Sequence, residues 1–462
     1  MSILLKGGIV VSSQESKRLD VRIDGEVIVE IGKDLIHGDS KVIDISPYYL
    51  MPGFIDGHTH LELNNGPGTP NVIDGYASGT YAAIAGGTTT ILDMATPSKG
   101  QSLMDCYEHW NDEAMNQSYC DYSYHMAIID WNETIKREVS SMMEHGITSF
   151  KMYMAYRNLM SDDHILYEAL SVIHQAGGLL VVHCENEELI RERIHELEKQ
   201  GALAISYYPK SRPSVVEAEA VNRMLAIAEL VQAPIGIVHV SSPRTIEHIS
   251  NARENGQEVY VETCPQYLIL DDSVYEDEKT AYQYVCAPPI RSLAEKSAML
   301  RALKRGMIDT ISTDQCAFSQ MLKSSALDDF RKTPGGLPGI EHRAELIFTI
   351  GVRAGLITIE EMVSLLSEKI AKIFHLYPRK GSIEVGSDAD LVVWDPEEER
   401  VIRAADQWMK VEYNPYEGMH TYGKAKYVFL RGKLVSRDGV PEGEASGVLL
   451  RRKPRTAKSR GL

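Results

Sequence analysis

This 462-residue chain is poor in long apolar runs, in paired cysteines and in positive charge, and each shortage argues against something. No window approaches the ~18 uninterrupted apolar residues of a membrane span, so no membrane partner is expected. The six cysteines, Cys106, Cys120, Cys184, Cys264, Cys286 and Cys316, lack paired spacing, and a chain this long needs no disulfide framework; reduced thiols in the cytoplasm are expected. A formal net charge of −17 argues against nucleic acid, whose phosphates require clustered Lys and Arg. One stretch runs against that balance: RRKPRTAKSR, residues 451–460, holds six basic residues and reads as a solvated or subunit-docking tail. The opening MSILLKGGIVVSS has neither the charged start nor the small-residue cleavage site of a secretory leader and reads as a first strand.

What is present is organised in three parts. Residues 1–52 alternate apolar and polar, as in DVRIDGEVIVEIG, and predict one part of a small β-sandwich. The same texture returns only in 379–445, for example GSIEVGSDADLVVWDP, so the two ends are expected to fold together, with 446–462 as a basic tail. Between them, residues 53–378 hold eight short apolar runs, at 54–60, 88–94, 122–129, 147–153, 178–184, 235–241, 258–264 and 308–314. Helix-patterned segments such as DDHILYEALSVIHQAG (162–177) and VEAEAVNRMLAIAELVQ (216–232) separate them, which predicts an α/β fold with a parallel (β/α)8 barrel; a doubly wound open sheet is the rival.

Several runs end in the same kind of chemistry. The first ends in His58 and His60, the fourth contains Lys151, the fifth ends in His183, the sixth in His239 and the eighth in Asp314. In a parallel barrel these C-terminal ends converge on one mouth, and side chains two apart on a strand share a face, so His58 and His60 can aim at one ion. One such histidine is an ordinary core residue; four with a carboxylate, each at a strand end, indicate a metal site. Lys151 is an ammonium in an apolar strand, and two readings stand open: a lysine snorkelling to the rim, or a neutral, nucleophilic amine that reacts with carbon dioxide to give a carbamate able to bridge two metals.

With these residues in place, the sequence resembles the amidohydrolase superfamily and, within it, the D-hydantoinase and dihydropyrimidinase group of cyclic amidohydrolases. The motifs that carry the resemblance include PGFIDGHTHLEL, GGTTTILDM, SFKMYMAYRN, VVHCENEELI, IVHVSSP, VETCPQYLILD, APPIR and STDQCAF, and they span nearly the whole chain. The resemblance implies two zinc ions per subunit, with manganese or cobalt as alternatives, bridged by hydroxide and by Lys151 as N6-carboxylysine. It implies His58 and His60 on one ion, His183 and His239 on the other, and Asp314 completing the first site and moving the proton. Tyr156 is similar to the family tyrosine that hydrogen-bonds the substrate carbonyl, and Ala287 and Gly335 stand where backbone groups meet the substrate. A homotetramer is implied as well.

The chain departs from the family pattern at four places. Gln315 follows Asp314 where many relatives carry His, the 64–70 stretch NNGPGTP is more polar than the usual hydrophobic gate, and Ala287 and Gly335 replace Ser and Asn. The expected activity is opening of hydantoin or dihydropyrimidine rings to N-carbamoyl amino acids. Allantoinase or dihydroorotase chemistry is the alternative within the same fold, although no arginine in the sequence can be nominated for the dihydroorotate carboxylate. An inactive assembly protein is the remote alternative, disfavoured because all six ligand positions are filled.

Overall fold

Eight parallel strands, each hydrogen-bonded to its neighbours in chain order, form the centre of the computed structural model, which describes residues 2–63 and 71–455. They are Phe54–Thr59, Thr88–Ala95, Asp121–Ala127, Ser149–Tyr153, Leu179–His183, Ile235–Ile237, Val259–Thr263 and Thr310–Ile311, one from each apolar run. The last is the shortest, and the seam between the eighth strand and the first is closed in two ways. At the mouth the Asp314 N–H donates to His58 O (3.0 Å) and the His60 N–H to Gln315 O (2.8 Å). Deeper in the barrel the buried Arg343 guanidinium donates to Ile55 O (2.6 Å) and Ile311 O (3.0 Å). The rival open sheet is thereby set aside.

The helices between strands form where the sequence places their caps. Asp162 accepts from the Ile165 N–H at the start of Asp163–Gln175, and Ser214–Val231 ends at Gln232 in the left-handed region (φ +56°). Ser292 and Glu295 form a reciprocal capping box on Leu293–Lys304. Apolar faces of these helices pack on the outer side of the strands, while the inside of the barrel is filled by Ile55, Leu92, Met94, Val181, Val238 and Phe374. Among the described residues no helix is long and apolar enough to cross a membrane.

Both ends of the sequence meet in one nine-stranded mixed sheet. Tyr49–Pro52 lies antiparallel to the start of Leu391–Val401, with Leu391 opposite Pro52 and Trp394 opposite Tyr49. The far edge, Val27–Gly32, curls back to the segment that leads into Leu391: the Ile28 N–H donates to Ser387 O (3.0 Å) and the Ala389 N–H to Glu26 O (2.7 Å). The sheet therefore encloses its own core of Leu5, Val21, Ile28, Leu50, Leu391 and Phe429.

The solvated reading of the basic tail is corrected at Arg452, while Arg451 and Lys453 are exposed. Residues 447–455 run along the base of their own barrel: the Leu450 N–H donates to Tyr122 O (2.7 Å) and the Arg452 N–H to Gly146 O (2.9 Å). The Arg452 side chain is buried, donating to Ser149 Oγ (2.7 Å), Ser123 Oγ (3.1 Å) and Tyr124 O. A guanidinium with five donors finds acceptors there that solvent or a second subunit was expected to supply. Residues 456–460 of that stretch lie outside the described residues, as does the polar 64–70 loop.

Candidate metal centre at the barrel mouth

The first strand delivers two imidazoles and the closing turn of the eighth delivers a carboxylate. His58 Nε2 and His60 Nε2 lie 3.3 Å apart, and Asp314 Oδ1 is 3.1 Å from the first and 3.2 Å from the second. Tetrahedral donors each about 2 Å from a zinc ion stand about 3.3 Å apart, so this triangle has the edge length that a divalent cation requires. These three form a metal-binding group. His183 Nδ1, at the end of the fifth strand, lies 2.9 Å from Nε2 of His239, two residues beyond the sixth. Lys151 sits at the centre of the fourth strand, 1% exposed, and among the described residues its Nζ has no hydrogen bond or ion pair. The donor set of imidazole nitrogens and a carboxylate oxygen suits zinc or a similar ion.

The electrostatics point the same way. Burial lowers the pKa values of His60, His183 and His239, which keeps lone pairs available for a ligand role. Burial also brings Lys151 down to about 8. Asp314 is pulled up by burial, but the neighbouring His58 and His60 outweigh it and hold the carboxyl at about 2. Three residues here have left-handed backbone, Tyr156 (φ +68°), His239 (φ +41°) and Asp314 (φ +56°), a conformation that non-glycine residues keep when the surrounding structure over-determines it.

A cavity of about 610 Å³ opens over this cluster, lined by every candidate ligand and substrate-contact residue of the sequence analysis except the fully buried His58. Tyr156 lies on its wall with the Arg212 guanidinium 5.4 Å from its ring centroid and the His183 ring 5.0 Å away. Ala287 and Gly335 also line the cavity and are adjacent to each other: a Cβ on Gly335 would stand 3.9 Å from Ala287 N. A second cavity of about 600 Å³ lies among the outer helices at the opposite, N-terminal ends of the strands, lined by residues such as Asn222, Glu229 and Glu258.

Several functional neighbours escaped the sequence reading. Glu262, on the seventh strand, lies 2.7 Å from His58 Nδ1, which fixes that nitrogen as the N–H and frees Nε2; the same carboxylate oxygen accepts from the His239 N–H at 3.4 Å. Glu185 lies 2.9 Å from His183 Nε2 and pairs with Arg212; burial raises its pKa, but Arg212 and His183 prevail and hold it at about 2. A signal for Glu262 was there: a carboxylate inside an apolar strand is the same anomaly that marked Lys151. Arg212 carried no such mark. Gln315 faces away from the cavity; its Oε1 accepts from the N–H groups of Gly339 (2.7 Å) and Ile340 (3.1 Å), so the departure from His changes support for that loop.

Comparison with known proteins decides the family: residues 49–435 match the amidohydrolase family model. This chain belongs to the amidohydrolase family. It is 39% identical over 442 residues to the D-hydantoinase of Geobacillus stearothermophilus, covering 95% of this chain and 93% of that one. It is 37% identical over 460 residues to the D-phenylhydantoinase of Escherichia coli O1:K1 / APEC, covering 98% and 99%. The solved dihydropyrimidinase from Brevibacillus agri NCHU1002 superposes with a TM-score of 0.96 at 39% identity, over 99% of this chain and 100% of that one. Within the amidohydrolase family the chain thus falls on the hydantoinase and dihydropyrimidinase side, as a hydrolase.

Proposed function

We propose that this protein opens hydantoin or dihydropyrimidine rings to N-carbamoyl amino acids with two divalent cations, zinc first among them and manganese or cobalt as alternatives. The observation that carries the reading is the His58, His60 and Asp314 triangle, with 3.1–3.3 Å edges, beneath a cavity that also receives Lys151, His183 and His239. His58, His60 and Asp314 would hold one cation and His183 and His239 the second. When bound, such a pair supplies hydroxide at neutral pH and polarises the ring carbonyl.

The remaining steps belong to the chain. Lys151, whose pKa burial lowers to about 8, has an amine able to attack carbon dioxide: the Nζ–C bond would form, a proton would leave, and the resulting carbamate would supply anionic oxygen donors to the cations. Tyr156 stays protonated because burial pushes its phenol up, and its O–H donates to the carbonyl oxygen as that oxygen gains charge. Asp314, ionised at neutral pH, takes the proton of the attacking water and passes it to the ring nitrogen as the C–N bond breaks. Backbone groups at Ala287 and Gly335 orient the ring.

Arg212 bears on the choice among rings. Its charge is already paired with Glu185, so it offers no uncommitted cation to a dihydroorotate carboxylate, which favours neutral rings. The same reading takes residues 53–378 as the catalytic barrel of a cytoplasmic homotetramer; the six free, buried cysteines suit a reducing compartment. The deciding experiment is a ring-opening assay of protein loaded with zinc in bicarbonate on hydantoin, phenylhydantoin, dihydrouracil, allantoin and dihydroorotate. Turnover of the first three supports the reading; turnover of only the last two, or of none, overturns it.

A further inference from the structure

Lys323 closes the short helix Gln320–Lys323, is fully buried, and has no carboxylate partner among the described residues. Its ammonium donates to three backbone carbonyls: Gly336 O (2.7 Å), Val285 O (2.9 Å) and Gln283 O (3.3 Å), with the Tyr413 ring centroid 5.7 Å away. Three acceptors call for three N–H donors, which only the charged form supplies, although burial pushes this amine down to about 7. A buried charge of this kind is costly unless directed dipoles compensate it.

The carbonyls come from two separate segments, and those segments are the ones that line the cavity. Ala287 lies two residues beyond Val285, and Gly335 directly precedes Gly336. The segments otherwise meet through the Gly336 N–H to Val285 O bond (2.9 Å). Gly336 admits no side chain: its φ is +155°, and a Cβ there would lie 2.1 Å from Cys316 O. The Cys286 carbonyl is taken by the Tyr208 hydroxyl (2.8 Å), so beyond that one backbone bond it is the lysine that holds the 283–285 side to the glycine side.

We propose that Lys323 is a positioning residue for substrate: it staples the Ala287 and Gly335 segments together and so sets the spacing of the backbone groups that receive the ring. This rests on the ring-opening reading above. Lys323 bonds no atom of the metal-ligand candidates, so its role separates from theirs.

The test is Lys323→Met in the zinc-loaded full chain, compared with wild type on hydantoin and dihydrouracil. KM should rise about tenfold or more, as expected for carbonyls losing a charged donor, with kcat within about threefold and zinc per chain unchanged. Affinity for the product N-carbamoylglycine, measured by calorimetry, should fall by the same factor as KM rises. Unchanged KM and product affinity in a folded variant overturn the proposal, as does a joint loss of kcat and zinc, which marks a general packing defect. Should Lys323→Met not fold, Lys323→Gln, which is shorter, uncharged and one donor short of the three carbonyls, should raise KM by a smaller factor of about three or more, and a wild-type KM there overturns the proposal. Wild-type protein that opens no ring overturns the functional reading instead.

Discussion

Two lysines, each 1% exposed, sit at opposite ends of this barrel and have been given opposite surroundings. At the base Lys380 Nζ lies 2.6 Å from Asp121, 2.6 Å from Asp390 and 3.0 Å from Asp388, and Arg431 shares Asp121. Burial disfavours its charge, but the three carboxylates prevail and raise its pKa. At the mouth Lys151 has no acidic partner within ion-pair distance among the described residues, and burial lowers its pKa to about 8. The same side chain is an anchor where its charge is balanced in place and, under the proposed function, a reagent where it is not.

Substitutions can break or sharpen that contrast. The largest effect is expected from Lys151→Met, which should lose turnover by about a thousandfold or more together with most bound metal, while the melting temperature of the metal-free protein holds or rises. Retention of both turnover and metal would end the reagent role. Lys380→Met should leave turnover per folded, metal-loaded chain intact but cost about 3–5 kcal/mol in urea unfolding, because Asp390 loses its counter-charge while Asp121 and Asp388 are left with Arg431 and Arg379 alone. Since the folded-state pKa of Lys380 is raised, this stabilisation is fully present below its unfolded value of about 10.5 and is lost only as pH climbs through the folded value. The gap in unfolding midpoint between wild type and variant should therefore stay level from about pH 7 to pH 10.

Back at the mouth, Tyr156→Phe should lower kcat by about a hundredfold with metal content unchanged; an unchanged rate would place oxyanion stabilisation elsewhere. Glu262→Gln should weaken metal retention by about ten- to a hundredfold against a competing chelator, through the freedom it gives the His58 ring. Equal retention would show that the imidazole is oriented by strand geometry alone.

Much of this was legible because strands and their ends are local patterns. Eight apolar runs gave eight strands, and polar residues at their C-terminal ends gave the cluster, since a parallel barrel sends all such ends to one mouth. The carbonyl staple at Lys323, the Glu185–Arg212 pair and the His58–Glu262 contact join residues distant in sequence, and pairwise contacts of that range leave no periodic trace. Arg452 was misread for a related reason: six basic residues in ten signal solvent by composition, whereas its fate depended on hydroxyls and a carbonyl contributed by the third and fourth strands.

The shared sheet has a kinetic consequence. Pro52 is paired with Leu391, and the whole barrel lies between them in the chain. The Tyr49–Pro52 strand must wait with one edge open until the barrel segment and the Leu391–Val401 strand have both been made, a pairing of very high contact order whose loop-closure entropy is met late. In that interval its exposed edge is the place where two half-folded chains would join each other, so yield on refolding should depend on protein concentration more steeply than the stability of the finished molecule suggests.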